Sequence, residues 1–140
     1  MIVCIDTNVL LQARAKSHPY HCILRGCALG SMSWAVSNRI LTEYREMVTT
    51  VNDVAAWGRV AHLLDLIDLT GTLIMVSPHY HFDVIGDDPD DNAFTDCAIA
   101  VHADYVITED RHFAPLANAG YKPQPITPTE FIERYRGSYV

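Results

Sequence analysis

Met1-Ile2-Val3-Cys4-Ile5-Asp6-Thr7-Asn8 opens the chain. Ile2 to Ile5 are apolar without alternation, the pattern of a strand buried on both faces of a parallel sheet. An acid follows directly. In open parallel sheets, sites form beyond the carboxyl ends of the strands, so Asp6 is placed to serve one. It reads equally well as the cap of the helix that Thr7 begins.

Working outward, the same apolar pattern returns at Met32 to Val36, Leu73 to Val76 and Tyr105 to Ile107, and Pro123 to Ile126 is a fifth candidate. Helical stretches separate these strands. One runs over Thr7 to Ala15, and another opens at His18-Pro19 and ends near Gly30. Ser37 is an N-cap candidate for a helix whose stripe is Ile40, Leu41, Tyr44 and Val48. A longer helix from Asp53 to Asp68 aligns Trp57, Val60, Ala61, Leu64 and Ile67. From Asn92, Phe94, Cys97, Ala98 and Val101 share one face, and Thr127-Pro128 opens the last helix with a cap and a Pro at N1. Short apolar strands alternating with amphipathic helices predict a three-layer α/β fold with a central, mainly parallel sheet of four to five strands. Without repeats or a linker, 1–140 reads as a single domain.

Composition narrows the function. With 49% hydrophobic and 19% charged residues, the chain of 140 residues is globular in character. No apolar run reaches the roughly 20 residues that span a bilayer, and the N-terminus lacks the pattern of a signal peptide, so a cytoplasmic location and no membrane partner are expected. Cys4, Cys22, Cys27 and Cys97 fit reduced thiols there. Cys22-x4-Cys27 beside His18 and His21 matches no common zinc spacing. A net charge of −7 argues against holding nucleic acid by bulk electrostatics.

The acids are unevenly spread. Asp83, Asp87, Asp88, Asp90, Asp91 and Asp96 fall in one stretch with no Lys or Arg. Asp91 at the mouth of a helix is explained by capping alone. Asp96 is not, because it lies about 160° from the Phe94–Val101 stripe, among Ala93, Ala100 and Ala103. A carboxylate so placed is partly buried and needs a partner. Glu43 reads as a solvated residue paired with Arg39 one turn earlier, or as part of the same cluster. Crowded acids are relieved by a shared cation. Mg²⁺ or Mn²⁺ takes carboxylate oxygens and can activate water and neutralise a phosphodiester.

At this point the residues resemble the PIN-domain family. Ile5-Asp6-Thr7-Asn8 is similar to its first motif, Glu43 to its second, Asp90-Asp91-Asn92-x3-Asp96 to its third, and Thr108-Glu109-Asp110 to its fourth. The order is correct and the resemblance covers nearly the whole chain. It implies an endoribonuclease acting on single-stranded RNA with Mg²⁺ or Mn²⁺. By that resemblance Asp6, Asp91, Asp96 and Asp110 ligate metal, Glu43 orients or deprotonates the attacking water, and Asn8 and Thr108 support them by hydrogen bonds. Asp90 competes with Asp91 for its role. Within the family, Asp-Pro-Asp-Asp-Asn-x-Phe looks most like the VapC-related toxins of toxin–antitoxin pairs, which implies an antitoxin partner and a homodimer. The alternatives are an RNA-processing PIN nuclease or a non-catalytic PIN-like scaffold. A haloacid-dehalogenase-type phosphotransferase wants an acid where Asn8 stands, and a receiver domain wants paired acids near the first strand and a well-placed late lysine.

Overall fold

The computed structural model describes residues 1–79, 81–82, 84–85 and 92–140, and for Asn118 only the backbone. Five strands form one sheet: β1 (Ile2–Ile5), β2 (Ser33–Ser37), β3 (Leu73–Val76), β4 (Tyr105–Ile107) and β5 (Gln124–Ile126). Their order is β3-β2-β1-β4-β5, and every pairing is parallel. The order reverses between β1 and β4. That is the point where a crevice opens at the carboxyl edge of such a sheet.

The helices that flank the sheet are α1 (Thr7–Ala13), α2 (His21–Ala28), α3 (Asn38–Val51), α4 (Val54–Leu69), α5 (Asn92–Ala100), α6 (Ala114–Asn118) and α7 (Pro128–Tyr135), and a 3-10 turn at Arg111–Phe113 precedes α6. The result is a three-layer α/β/α architecture. Among the described residues, side-chain caps set the starts of α3, α4 and α7 as local chemistry dictates: Ser37 accepts the Ile40 N–H, Asp53 that of Ala56 and Thr127 that of Glu130. Two differences from expectation lie near α1 and α2. The first helix stops at Ala13, and the second begins at His21 because His18 turns its ring back to accept the Tyr20 N–H.

Val3, Cys4 and Ile5 are fully buried, as a central parallel strand requires. Beneath the carboxyl edge runs a file of aromatic rings. Trp34 of β2 meets Tyr44 of α3 at 5.9 Å, Tyr44 meets Phe94 of α5 at 6.1 Å, and Phe94 meets Phe113 at 6.4 Å. These spacings lie within the favourable range for tilted and edge-on pairs. The stripe expected on the long helix also packs inward, with Val60, Leu64 and Ile67 buried together with Tyr44 and Val48. Trp57 and Ala61 are only half-buried. Among the described residues, no helix is long and apolar enough to cross a membrane.

Candidate active site

Asp6 stands at the N-terminal boundary of α1 in extended backbone, yet its side chain makes no cap hydrogen bond. Of the two sequence readings, capping therefore fails. Instead the carboxylate, 4% exposed, accepts a hydrogen bond at Oδ2 from the Thr108 hydroxyl at 2.7 Å. Thr108 follows β4, and its oxygen also accepts the Asp110 N–H at 2.9 Å. One hydroxyl thus ties together the acids that follow the two strands at the switch point. The Asp6 backbone is held from below: its N–H donates to the Ile107 carbonyl at 3.0 Å, and the buried Tyr44 hydroxyl donates to the Ile5 carbonyl.

Asp110 is partly exposed. Its Oδ1 accepts the His112 N–H at 2.9 Å and starts the 3-10 turn, with the His112 ring 3.3 Å away. Glu43, half-buried on α3, accepts the Thr7 hydroxyl at 2.6 Å. Because Thr7 adjoins Asp6, this bond brings the second acid to the same edge of the sheet.

Asp96 is 3% exposed. Its Oδ1 accepts the Phe82 N–H at 2.9 Å, and its Oδ2 lies 3.2 Å from His81 Nδ1. The partner that burial demands is thus supplied by the segment arriving from β3. The Asn92 amide fixes the end of that segment, accepting from the Ile85 N–H at 2.9 Å and donating to its carbonyl at 2.8 Å. Asp96 lines a cavity of about 260 Å³ with Ser37, Arg39, Ser77 and His81. A second of similar volume holds Glu43 with Thr42 and Glu46, and the two share Arg39 and Ala93.

Asn8 is exposed, and its side chain makes no hydrogen bond among the described residues. Asp91 and Asp90 lie outside the described residues. Sequence reasoning missed Thr7, His81 and the position of Arg39 between the two cavities. The only signal for His81 was its place just ahead of the acidic stretch.

The donors suit a hard divalent cation, since all are carboxylates and two of them, Asp6 and Asp96, are buried at the carboxyl edge. Among the described residues, no three His, Cys, Asp or Glu side chains stand close enough to close a metal site by themselves. The fit is therefore one of donor chemistry and placement.

A parallel three-layer domain with acids along the carboxyl edge of its sheet, Asp6 and Asp110 tied together at the switch point, is an arrangement suited to reactions at that crevice. A sequence profile of the PIN domain matches residues 2–112. The chain belongs to the PIN-domain family, whose members are generally nucleases and typically use divalent metals. No curated protein matches it at significant similarity.

Proposed function

We propose that this chain is an endoribonuclease that hydrolyses phosphodiester bonds of single-stranded RNA with Mg²⁺ or Mn²⁺. The observation that carries the reading is the hydroxyl bridge of Thr108, which holds Asp6 and links it to Asp110 across the switch point, with Asp96 and Glu43 beside the same edge. Asp6, Asp96, Asp110 and Asp91 would hold the cation, which when bound neutralises charge on the phosphodiester and acidifies its water. Glu43 orients the attacking water and takes its proton as the water oxygen bonds to phosphorus. The departing ribose oxygen leaves with a proton from solvent. Thr7 fixes the Glu43 carboxylate for that task, and Thr108 fixes Asp6. Asn8 adds a donor at the exposed rim.

We further read the protein as the toxin of a toxin–antitoxin pair, acting in the cytoplasm as a homodimer. The support is the likeness of the Asp88-Pro89-Asp90-Asp91-Asn92-x-Phe94 run to that of the VapC-related toxins. Apolar side chains left in solvent on neighbouring helices, Met47 and Val51 of α3 and Val54, Leu66 and Leu69 of α4, are surface for a second copy or an antitoxin segment.

The test is cleavage of an unstructured RNA by purified protein. Activity should require Mg²⁺ or Mn²⁺, stop with EDTA, and fall by at least about a hundredfold in Asp6→Asn, because losing a carboxylate that would hold the cation weakens both its binding and its charge neutralisation. Undiminished cleavage in chelator, with a clean contaminant control, refutes the mechanism.

A further inference from the structure

Where the C-terminal end of α1 meets α2 and α4, a further pocket opens. Arg14, Lys16, His21 and Arg59 line it, over a floor of Ala56, Val60 and Leu63. No acid contributes to its walls, which is unusual in a chain of net charge −7. Among the described residues, none of the three cations Arg14, Lys16 and Arg59 forms an ion pair. Arg14 Nε is buried without a hydrogen-bond acceptor. Asp53, the acid at the start of α4, uses its carboxylate on the Ala56 N–H at 2.7 Å. His21 Nδ1 lies 2.9 Å from the Ala13 carbonyl and donates to it, so its other ring nitrogen is left for a ligand.

We infer that this pocket is a phosphate-binding subsite that grips the backbone of the nucleic-acid strand away from the cleavage point. Guanidinium and ammonium donors lining one pocket beside an apolar floor suit a phosphate. A volume of about 170 Å³ admits a phosphate with its ribose but not a helix of a partner protein. Position supports the assignment. Asp6 and Arg14 bracket α1, which is 7 residues long, so about 10 Å of helix separates the two sites. An extended strand covers that in a few nucleotides. The subsite also answers the charge problem, because an acidic protein needs a local cationic foothold on a polyanion.

The inference rests on the nuclease reading for its ligand, and the experiment separates the two. Binding of a fluorescently labelled oligouridylate is followed by anisotropy in EDTA, across a salt series, for wild type and for Lys16→Ala/Arg59→Ala. Both side chains are exposed, and circular dichroism checks the fold. The double variant lacks two cations that neutralise phosphates, so the slope of log affinity against log salt should fall by about 1.4. Arg59→Lys alone should keep most of the wild-type affinity at low salt. An equal slope in both proteins, or no binding by wild type, overturns the inference. So does tighter capture of an acidic oligoglutamate peptide than of the oligouridylate, which would assign the pocket to a protein partner. Saturation by inorganic phosphate with no gain from the oligonucleotide also overturns it. A reduced slope in a protein that never cleaves RNA with Mn²⁺ would uphold the subsite and refute the nuclease. Cleavage with an unchanged slope would do the reverse.

Discussion

At the scale of single residues, the site depends on hydroxyls more than the pattern of acids suggests. Thr108 donates to Asp6 and accepts from the Asp110 backbone while 4% exposed. Thr108→Val keeps the shape and removes both bonds. The buried Asp6 carboxylate would then lose the Thr108 hydrogen bond, which costs on the order of 1–3 kcal/mol. Groups that orient metal-binding carboxylates typically change activity by roughly 10–100-fold. We expect Thr108→Val to lose that much cleavage rate, and Thr108→Ser to recover most of it. A Val variant as active as wild type would show that the bridge orients nothing.

At the scale of elements, the opposite edge of the sheet offers a test that leaves the site untouched. Asp104, in the connection between α5 and β4, accepts the Ile2 N–H at 2.9 Å and pairs with Lys122. Burial pushes its carboxyl up, but the hydrogen bonds and charge from Lys122 and the Ile2 N–H outweigh it and hold the group below the usual range. A depressed folded value stabilises the protein above the unfolded pKa of about 3.9, and that contribution is lost as pH falls through the folded value. The melting temperature of wild type should therefore exceed that of Asp104→Asn by a few degrees, on the order expected of a solvent-screened pair. The gap should be constant above about pH 5 and close below about pH 4. A gap that widens on acidification would contradict the assignment. The central strand was legible because burial on both faces leaves it uniformly apolar, the others because short apolar runs lie between helical stretches, and each of the five lies within one residue of its sequence reading. The 3-10 turn at Arg111–Phe113 and the five-residue α6 were not, since one turn of helix carries no periodicity to read. Asp6 and Asp110 stood out by their places after strands, and Asp96 by its place off the apolar stripe of its helix. The partners of Glu43 and Asp96 did not, because the Thr7–Glu43 and His81–Asp96 pairs span 36 and 15 residues of sequence, and only the folded sheet brings them together.

For the whole molecule, folding gathers like charges that an unfolded chain would keep apart. Asp6 and Asp96 are buried at the carboxyl edge, and Asp110 and Glu43 share it. The proposed cation binds this arrangement and not the unfolded chain, so it should stabilise the fold by mass action. At a hundred times its dissociation constant, the gain is about 2.7 kcal/mol, which for a domain of this size raises the melting temperature by on the order of 10 °C. The effect should follow Mn²⁺ or Mg²⁺ in a saturable way, vanish with EDTA, and shrink sharply in Asp6→Asn. The apo form of that variant should be no more than about 1–3 kcal/mol less stable than wild type, the range for one unmatched buried partner, here the Thr108 hydroxyl. Differential scanning fluorimetry across a metal titration reads both quantities at once. A melting temperature unmoved by either ion in wild type would mean that the acids hold no cation in the folded state, and the hydrolytic reading would fall with it.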